Sequence, residues 1–276
     1  MDLHLSGRTA VVTGAGKGIG LAVTRALAAE GVGVLAASRT LTEDLAGLGR
    51  TADVLPLQVD LTAADGPARA VDAAVTHFGG LDLLVNNVGA VRPRPNGFLS
   101  VTDADWEQAL TVNFLTAVRT TRAALPHLLE RGSAAVVTIS SVNAALPDPA
   151  VIDYSAAKAA LANFCKSLSK EVAARGVRVN TISPGPVSTA LWLGAGGVAA
   201  TVAEAGGGNA EEVVRQAAAE SATGRFTRPE EVTGMPGYSK LRSVWVPGCK
   251  RTDLCQLRVT CPRTSASMPR TCPVTR

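Results

Sequence analysis

The chain has 276 residues, 46% hydrophobic and only 4% aromatic, so it can bury one sizeable core of Ala, Val, Leu and Gly. Residues 235–276 hold eight Lys or Arg and one Asp, whereas residues 1–234 hold nineteen Lys or Arg against twenty-two Asp or Glu. The acidic body argues against nucleic-acid binding, and with no apolar run of about 18 residues and no export leader we expect a cytoplasmic protein without a membrane span.

Apolar, β-branched runs alternate with helical patterns along the body of the chain. These runs predict buried strands at Thr9–Thr13, Gly33–Ala37, Val54–Val59, Leu81–Val85, Ala135–Ile139 and Val177–Ile182. The alternation predicts an α/β fold, a Rossmann-type doubly wound parallel sheet with helices on both faces. Ligands of such sheets bind beyond the carboxyl ends of the strands, so we expect the chemistry directly after each strand.

A glycine-rich turn follows the first predicted strand and leads into a segment with helical periodicity. Glycine lets the backbone turn sharply and approach a pyrophosphate, while the first N–H groups of the helix bind the anion. A glycine motif alone is weak evidence, but strand, turn and helix occur here in the order that dinucleotide binding requires. The predicted cofactor-binding residues of this turn are Gly14, Lys17, Gly18, Ile19 and Gly20.

The second strand is followed by Ser38 and Arg39, and it lacks an acidic residue to accept hydrogen bonds from a ribose 2′-hydroxyl. Arg39, Ser38 and Lys17 offer cationic and hydroxyl donors that suit a 2′-phosphate. We therefore predict NADP(H) in preference to NAD(H). The alternative is that Arg39 and Lys17 are ordinary solvated charges.

Tyr154 and Lys158 lie four residues apart on the predicted inward stripe of a helix. A nearby ammonium favours the phenolate and would lower the pKa of the phenol towards neutrality. The pair therefore indicates a general acid/base. The alternative is an amphipathic helix in which the tyrosine packs and the lysine extends to solvent.

Two further polar groups are candidates for the same site. Ser140 and Ser141 end the fifth predicted strand, where a substrate carbonyl would lie. Asn113 falls on the apolar face of a predicted helix, where a buried amide needs partners. It is either a satisfied core amide or a link in a water relay, and we favour the relay.

The order of these motifs resembles the short-chain dehydrogenase/reductase family from about residue 5 to residue 232. The motifs that carry the resemblance are Thr13-Gly14-x3-Gly18-x-Gly20, Asn86-Asn87-Val88-Gly89, Asn113, Ser141, Tyr154-x3-Lys158 and Pro184-Gly185. Val88 departs mildly from the usual alanine. The thirteen-residue step from Ser141 to Tyr154 fits the family pattern and selects Ser141 over Ser140. Within the family, the layout of the chain is most similar to bacterial 3-oxoacyl-carrier-protein reductase-like members.

The resemblance implies a role for each matching position. Tyr154 would be the general acid/base, Lys158 would lower its pKa and hold the nicotinamide ribose, Ser141 would orient the carbonyl, and Asn113 would support a relay water. Other positions would contact the cofactor: Asp60 and Leu61 at the adenine, Asn87 and Gly89 along the cleft, and Val187 and Thr189, after Pro184-Gly185, at the carboxamide.

The predicted domain covers residues 1–233. Within it, residues 190–223 are rich in Gly and Ala, which weakens helices, and they are interpreted as a mobile substrate lid. Residues 234–276 form a basic, Pro- and Cys-rich tail with no helix or strand period, so we expect an irregular tail and no last strand. Its cysteine spacings match no zinc pattern, and no metal is expected. A reading-frame shift is our hypothesis for this tail, and the nucleotide sequence would test it.

These features predict an oxidoreductase that interconverts a ketone and a secondary alcohol with NADP(H). One alternative is a catalytically impaired nucleotide-binding protein of the same fold; another is nucleic-acid binding by the basic tail, which lacks a helical stripe. Family members are commonly tetramers, so the resemblance implies a homodimer or homotetramer. Leu191 and Trp192 favour an apolar part in the small-molecule substrate, unless they pack on the core.

Overall fold

The computed structural model describes residues 4–221 and 223–233. Within them a parallel sheet of six strands is flanked by helices. The strands are β1 (Thr9–Thr13), β2 (Gly33–Ser38), β3 (Val54–Gln58), β4 (Leu83–Asn86), β5 (Ala134–Ile139) and β6 (Val177–Ile182). The six predicted strands are confirmed, and so is the Rossmann-type α/β fold.

Helices follow the strands and cover both faces of the sheet. They are α1 (Gly18–Ala29), α2 (Glu43–Thr51), α3 (Gly66–Phe78), α4 (Asp103–Leu110), α5 (Thr116–Glu130), α6 (Ile152–Val172), α7 (Ala190–Leu193), α8 (Val198–Gly206), α9 (Ala210–Glu220) and α10 (Pro229–Thr233). A π turn at Thr111–Leu115 joins α4 to α5. Among the described residues, no helix combines the length and the apolar composition that crossing a bilayer requires.

The strands lie in the order β3-β2-β1-β4-β5-β6, which is that of a dinucleotide-binding sheet. The chain winds outwards from β1 to β3 and then returns to place β4 on the other side of β1. The loops that follow β1 and β4 therefore leave the sheet in opposite directions. This divergence opens a crevice at the carboxyl ends of these two strands, where such sheets bind their ligands.

Alternate residues of each strand supply two separate cores. In β1, Ala10 and Val12 pack on the face that carries α1, whereas Val11 packs on the face that carries α3, α5 and α6. All five residues of β1 are buried, because both faces of a central parallel strand are covered. The continuous apolar runs in the sequence have this physical origin.

The expectation that glycine weakens helices between residues 190 and 223 is wrong. Three helices form there, because the glycines lie at helix ends, where glycine is favourable. Gly194 ends α7, Gly197 begins α8, and Gly207 follows α8 in the left-handed conformation with φ of 65°. The sequence between these glycines is rich in alanine and suits a helix.

The last described element of the chain is α10. Val232 of this helix is fully buried in the same core as α1. The predicted irregular tail and the predicted loss of a last strand concern residues 234–276, which lie outside the described residues, as do four of the five cysteines.

A buried carboxylate joins the beginnings of β1 and β4, and its removal is expected to destabilise the fold. Asp82 accepts hydrogen bonds from the backbone N–H of Thr9 at 2.9 Å and from Arg8 at 2.8 Å. Asp82→Ala leaves the buried N–H of Thr9 without its acceptor and breaks the ion pair with Arg8, so we expect the free energy of unfolding in urea to fall by about 2–4 kcal/mol. The control is Asp44→Ala, whose exposed ion pair with Arg25 contributes less than about 1 kcal/mol. Equal losses in the two variants would contradict this account.

Candidate active site at the carboxyl edge of the sheet

The turn between β1 and α1 is shaped to bring the backbone close to an anion. Gly14 and Gly18 adopt left-handed φ angles of 66° and 56°, and a Cβ on Gly20 would overlap the carbonyl oxygen of Gly14. The first turn of α1 carries no acidic side chain to oppose an anion, and Lys17 at its N-cap is exposed. The turn is therefore a cradle of backbone N–H groups beside a cation.

Thr13 and Asn87 tie the two sides of the crevice together. The Thr13 hydroxyl donates to the carbonyl of Val85 at 3.1 Å and accepts from the backbone N–H of Asn87 at 2.9 Å. The Asn87 side-chain amide donates to the carbonyl oxygens of Thr13 at 3.0 Å and of Gly14 at 3.2 Å. These contacts fix the glycine turn relative to the loop after β4.

The end of β2 lies beside the same turn, but its two candidate residues differ in availability. Arg39 is exposed, whereas Ser38 is buried. The Ser38 hydroxyl donates to the carbonyl of Thr40 at 2.8 Å and lies against Gly16. The hydroxyl hydrogen of Ser38 is therefore already used within the loop, and Arg39 is the free donor of the pair.

The two candidates after β3 also differ. Asp60 is exposed and accepts hydrogen bonds from the backbone N–H and the hydroxyl of Thr62, which lower the pKa of its carboxyl group. The side chain of Leu61 is buried in the core beside α3. Only the backbone of Leu61 is therefore available to contact a ligand.

Lys158 is buried within the edge of the sheet. Its ammonium donates to the carbonyl of Ile139, the last residue of β5, at 2.9 Å, and lies 5.8 Å from the centre of the Tyr154 ring. A Cβ on Gly89 would lie 3.2 Å from Oδ1 of Asn113 and 3.4 Å from Nζ of Lys158, so the loop after β4 passes close to both side chains. Burial lowers the pKa of Lys158 to about 8.

The two serines after β5 point to different partners. The Ser140 hydroxyl contacts the backbone carbonyl of Lys158 at 3.4 Å, whereas Ser141 forms a hydrogen bond with the phenol of Tyr154. Ser141 also donates to Oδ1 of Asn143 at 3.2 Å and accepts from the Asn143 backbone N–H. The structure therefore brings Ser141, and not Ser140, to the phenol.

Asn113 is buried in the π turn, where the extra residue turns its amide towards the loop after β4. Its Nδ2 donates to the carbonyls of Ala90 at 2.9 Å and Ala109 at 3.0 Å, and its Oδ1 accepts from the Ala90 backbone N–H at 3.0 Å. Asn113 is therefore a buried amide with three hydrogen bonds to the backbone, which was the alternative to its role in a water relay. A relay through this side chain has only the remaining lone pair of Oδ1.

The segment after β6 closes the crevice opposite the glycine turn. Pro184 accepts a hydrogen bond from the backbone of Val142 at 3.1 Å, with Gly185 following it. Val187 is buried and bridges to Thr227, whereas Thr189 begins α7 and lies against Gly18.

The two candidate substrate contacts at the start of α7 are placed differently. Trp192 packs edge-on against Phe226, with ring centres 5.3 Å apart. Leu191 is partly exposed. Of this pair, Leu191 therefore remains available to a ligand.

This combination of sheet order, glycine turn and Ser-Tyr-Lys cluster has a counterpart among known proteins. The family model described as short chain dehydrogenase matches residues 8–195. The chain belongs to the short-chain dehydrogenase family. It is accordingly an oxidoreductase enzyme of a family that uses nicotinamide cofactors.

Several relatives of this short-chain dehydrogenase cover most of its length. It is 37% identical over 227 residues to the short-chain reductase protein NovJ of Streptomyces niveus, covering 81% of this chain and 83% of NovJ. It is 31% identical over 240 residues to the 3-oxoacyl-[acyl-carrier-protein] reductase FabG of Thermotoga maritima, covering 83% and 89%. The structure of L-sorbose reductase from Gluconobacter frateurii, complexed with NADPH and L-sorbose, matches with a TM-score of 0.80 and 30% identity, covering 90% and 98%.

One expectation about the tyrosine of this short-chain dehydrogenase differs from the structure. The sequence predicted that Lys158 lowers the pKa of Tyr154, but burial raises that pKa, and only the hydrogen bond with Ser141 acts in the opposite direction. The Lys158 ammonium is directed to the Ile139 carbonyl, 5.8 Å from the ring centre, and burial weakens its own hold on a proton. Desolvation of the phenol is therefore the largest influence on its pKa.

Three polar residues that contact Ser141, Tyr154 or their partners were not among the predicted site residues. Asn143 holds the Ser141 hydroxyl, Asp153 accepts from the backbone of Tyr154 at 2.9 Å, and Arg94 bonds to Asp153. Two signals were available, because Asp153 directly precedes the candidate tyrosine and Arg94 lies between two prolines in the loop after β4. Neither signal reveals that the two residues meet, since 59 residues separate them in the chain.

Burial of Lys158 is expected to cost the short-chain dehydrogenase stability. Its pKa falls from 10.5 to about 8 on folding, so the charged lysine opposes folding by roughly 3 kcal/mol below pH 8. Between about pH 8 and pH 10.5 the folded protein loses this proton before the unfolded chain does, so stability rises with pH. Lys158→Met is expected to raise the free energy of unfolding by about 1–3 kcal/mol at pH 7 and to abolish that rise.

Urea unfolding at a series of pH values measures both effects. The control is Lys170→Met at an exposed position of the same helix, which should leave the pH profile as in the wild type. A Lys158→Met variant that is no more stable at pH 7 and retains the alkaline rise would show that the buried ammonium is not the cause.

Proposed function

We propose that this protein interconverts a ketone and a secondary alcohol with NADP(H), and that Tyr154 is the general acid/base. The observation that carries the proposal is the convergence of three groups at one point of the sheet edge. The phenol of Tyr154 forms a hydrogen bond with Ser141, and the Lys158 ammonium lies one helical turn further along α6. A phenol, a hydroxyl and an ammonium in this arrangement suit proton transfer to or from an oxygen atom.

The residues present fit a nicotinamide dinucleotide. The N–H groups of the glycine turn suit a pyrophosphate, and the turn is pinned by Thr13 and Asn87. Asn87 and Gly89 begin the loop after β4, and we propose that these two residues, together with residues 184–189, hold the nicotinamide half. When bound, the coenzyme supplies or accepts the hydride.

The residues around Tyr154 have distinct proposed tasks in reduction of a ketone. Tyr154 gives its phenolic proton to the oxygen of the substrate as that oxygen gains negative charge. Ser141 donates a hydrogen bond to the same oxygen, in exchange for its present bond to Asn143. Lys158, with a pKa of about 8, holds a positive charge near the phenolate that remains and assists its reprotonation.

Asn113 acts on this arrangement through the loop after β4. Its amide clamps the backbone of Ala90, the residue after Gly89, from both sides. We propose that Asn113 fixes the loop beside Lys158 and that the free lone pair of Oδ1 accepts a hydrogen bond from a relay water. This places it as a positioning residue rather than a group that touches the reacting atoms.

Two observations support NADP(H) as the coenzyme. The strand β2 ends in Ser38 and Arg39 without an acidic residue, and the side chains of Arg39 and Lys17 are exposed beside the glycine turn. A guanidinium suits the planar, bidentate recognition of a phosphate. L-sorbose reductase, which is similar over 90% of this chain, was solved with NADPH.

Replacement of the phenol tests the acid/base assignment. Tyr154→Phe is expected to lower kcat for NADPH-dependent ketone reduction by at least about a hundredfold, because no group then supplies the proton. Its dissociation constant for NADPH, measured by fluorescence, should stay within about twofold of the wild type. The control is Tyr238→Phe, which removes the other tyrosine of the chain and should retain activity.

A wild type that binds NADPH but reduces no member of a ketone panel would favour the nucleotide-binding alternative. Turnover retained in Tyr154→Phe would exclude this tyrosine as the proton donor.

Replacement of Arg39 tests the coenzyme preference. Arg39→Ala is expected to lower kcat/KM for NADPH at least about tenfold, since a charge-assisted hydrogen bond to the 2′-phosphate is lost. The value for NADH should change by less than about threefold. Arg50→Ala, at an exposed position in the last turn of α2, is the control and should leave both values unchanged. Equal losses with the two coenzymes would contradict recognition of the phosphate by Arg39.

A further inference from the structure

One arginine connects the loop after β4 to the beginning of the helix that carries Tyr154. The guanidinium of Arg94 donates to Oδ2 of Asp153 through Nε at 3.1 Å and Nη2 at 2.5 Å, and to Oδ1 of Asp105 through Nη1 at 2.9 Å. The side chains of Arg94 and Asp153 are only 14% and 3% exposed, so this ion pair is removed from solvent. The two carboxylates raise the pKa of Arg94, which stays charged.

Asp153 joins this ion pair directly to the backbone of the proposed acid/base. Its Oδ1 accepts the N–H of Tyr154 at 2.9 Å, while its Oδ2 is held by Arg94. A backbone N–H in the first turn of a helix has no partner within the helix, so this carboxylate satisfies it. The position of Tyr154 is thus coupled through one carboxylate to the loop that carries Gly89.

The loop is itself fixed at Arg94. Its backbone N–H donates to the carbonyl of Ala150 at 2.6 Å, and prolines on either side restrict its backbone. Asp105, the second carboxylate, is held by a reciprocal capping box with Thr102 at the beginning of α4. Arg94 therefore links the loop after β4 to the beginning of α4 and to the beginning of α6.

We propose that Arg94 and Asp153 are positioning residues that hold Tyr154 in place for proton transfer, and that Arg94 neutralises the carboxylate bound to the Tyr154 backbone. The proposal rests on the acid/base role of Tyr154 in the proposed function. Because both carboxylates already occupy the guanidinium, Arg94 is not assigned to an anionic substrate. Its role lies in the alignment of Tyr154, where displacement by about 1 Å can lower a rate a hundredfold.

The effect of losing Arg94 on the ionisation of Tyr154 depends on the charged and polar groups around it. The groups that neighbouring elements bring to this corner are Lys158 and Asp153 of α6, Arg94 of the loop, Asp105 of α4, and the uncharged Ser141, Asn143 and Asn113. Without Arg94, the Asp153 carboxylate loses its guanidinium partner, and this carboxylate belongs to the residue that precedes Tyr154 in α6. A negative charge there disfavours the phenolate.

Replacement of Arg94 and Asp153 by uncharged residues distinguishes an effect on Tyr154 from a general loss of stability. Arg94→Gln is expected to lower kcat at least about tenfold, with the dissociation constant for NADPH within about twofold of the wild type. The ascending limb of kcat/KM for alcohol oxidation should move up by at least about half a pH unit. Arg94→Gln/Asp153→Asn removes both charges and should return that limb towards the wild-type pH, because Asn still accepts the Tyr154 N–H through Oδ1.

The matched control is Arg92→Gln in the same loop. Arg92 also reaches α4, through an exposed hydrogen bond to Gln108 at 3.0 Å, but it has no contact with α6 among those described. Its kcat and pH profile should match the wild type. Arg94→Lys keeps the charge without the bidentate bond, so it should retain the wild-type pH profile and lose part of kcat, and it serves if Arg94→Gln does not fold.

A second measurement does not require turnover. In a Tyr238→Phe background, Tyr154 is the only tyrosine, and its ionisation can be followed by ultraviolet absorbance. Arg94→Gln should move this titration to higher pH, and the double variant should reverse the shift. An unchanged titration and pH profile in Arg94→Gln would overturn the proposal even if Tyr154→Phe is inactive. Turnover retained in Tyr154→Phe would overturn the proposed function instead.

Discussion

A positive charge buried at the edge of the sheet is the feature on which the rest of the site depends. The ammonium of Lys158 is removed from water, which is costly, and the Ile139 carbonyl at the end of β5 gives only partial compensation. Two neighbours lie close to it: Gly89 of the loop after β4, and the Tyr154 ring, whose centre is 5.8 Å from the ammonium. Such a strained arrangement lowers stability and is typical of functional sites.

The fold makes this arrangement possible because a parallel sheet collects the ends of distant segments. The loops after β1 and β4 diverge at the switch in strand order, and Thr13 and Asn87 join their bases by backbone and side-chain hydrogen bonds. Asn113 then clamps the same loop near Ala90, and Arg94 ties it to α6 further along. The loop after β4 is thus held at three points, each by a side chain whose hydrogen bonds are satisfied. The loop is therefore joined to the glycine turn at one end and to α6 at the other.

Local patterns predicted the architecture well because each depends on near neighbours in the chain. Buried parallel strands need continuous apolar runs, and the glycine turn needs residues that tolerate left-handed angles, so both are visible in the sequence. The same local reasoning failed between residues 190 and 223, since glycine counts against a helix only within its interior. It also failed for the pKa of Tyr154, because desolvation of the phenol depends on residues that pack around it and not on Lys158 alone.

The sequence by itself determined the fold class, the strands, the family resemblance and the identity of the candidate groups, because spacing and residue type carry that information. The tertiary structure decided which groups meet and in what state. It placed Ser141 at the phenol, as the family resemblance implied, and it alone showed that the side-chain amide of Asn113 is bound to backbone partners. It alone joined Arg94 to Asp153 across 59 residues. Contacts of this kind arise from the packing of separate elements, and packing, unlike periodicity, leaves no mark in a single sequence.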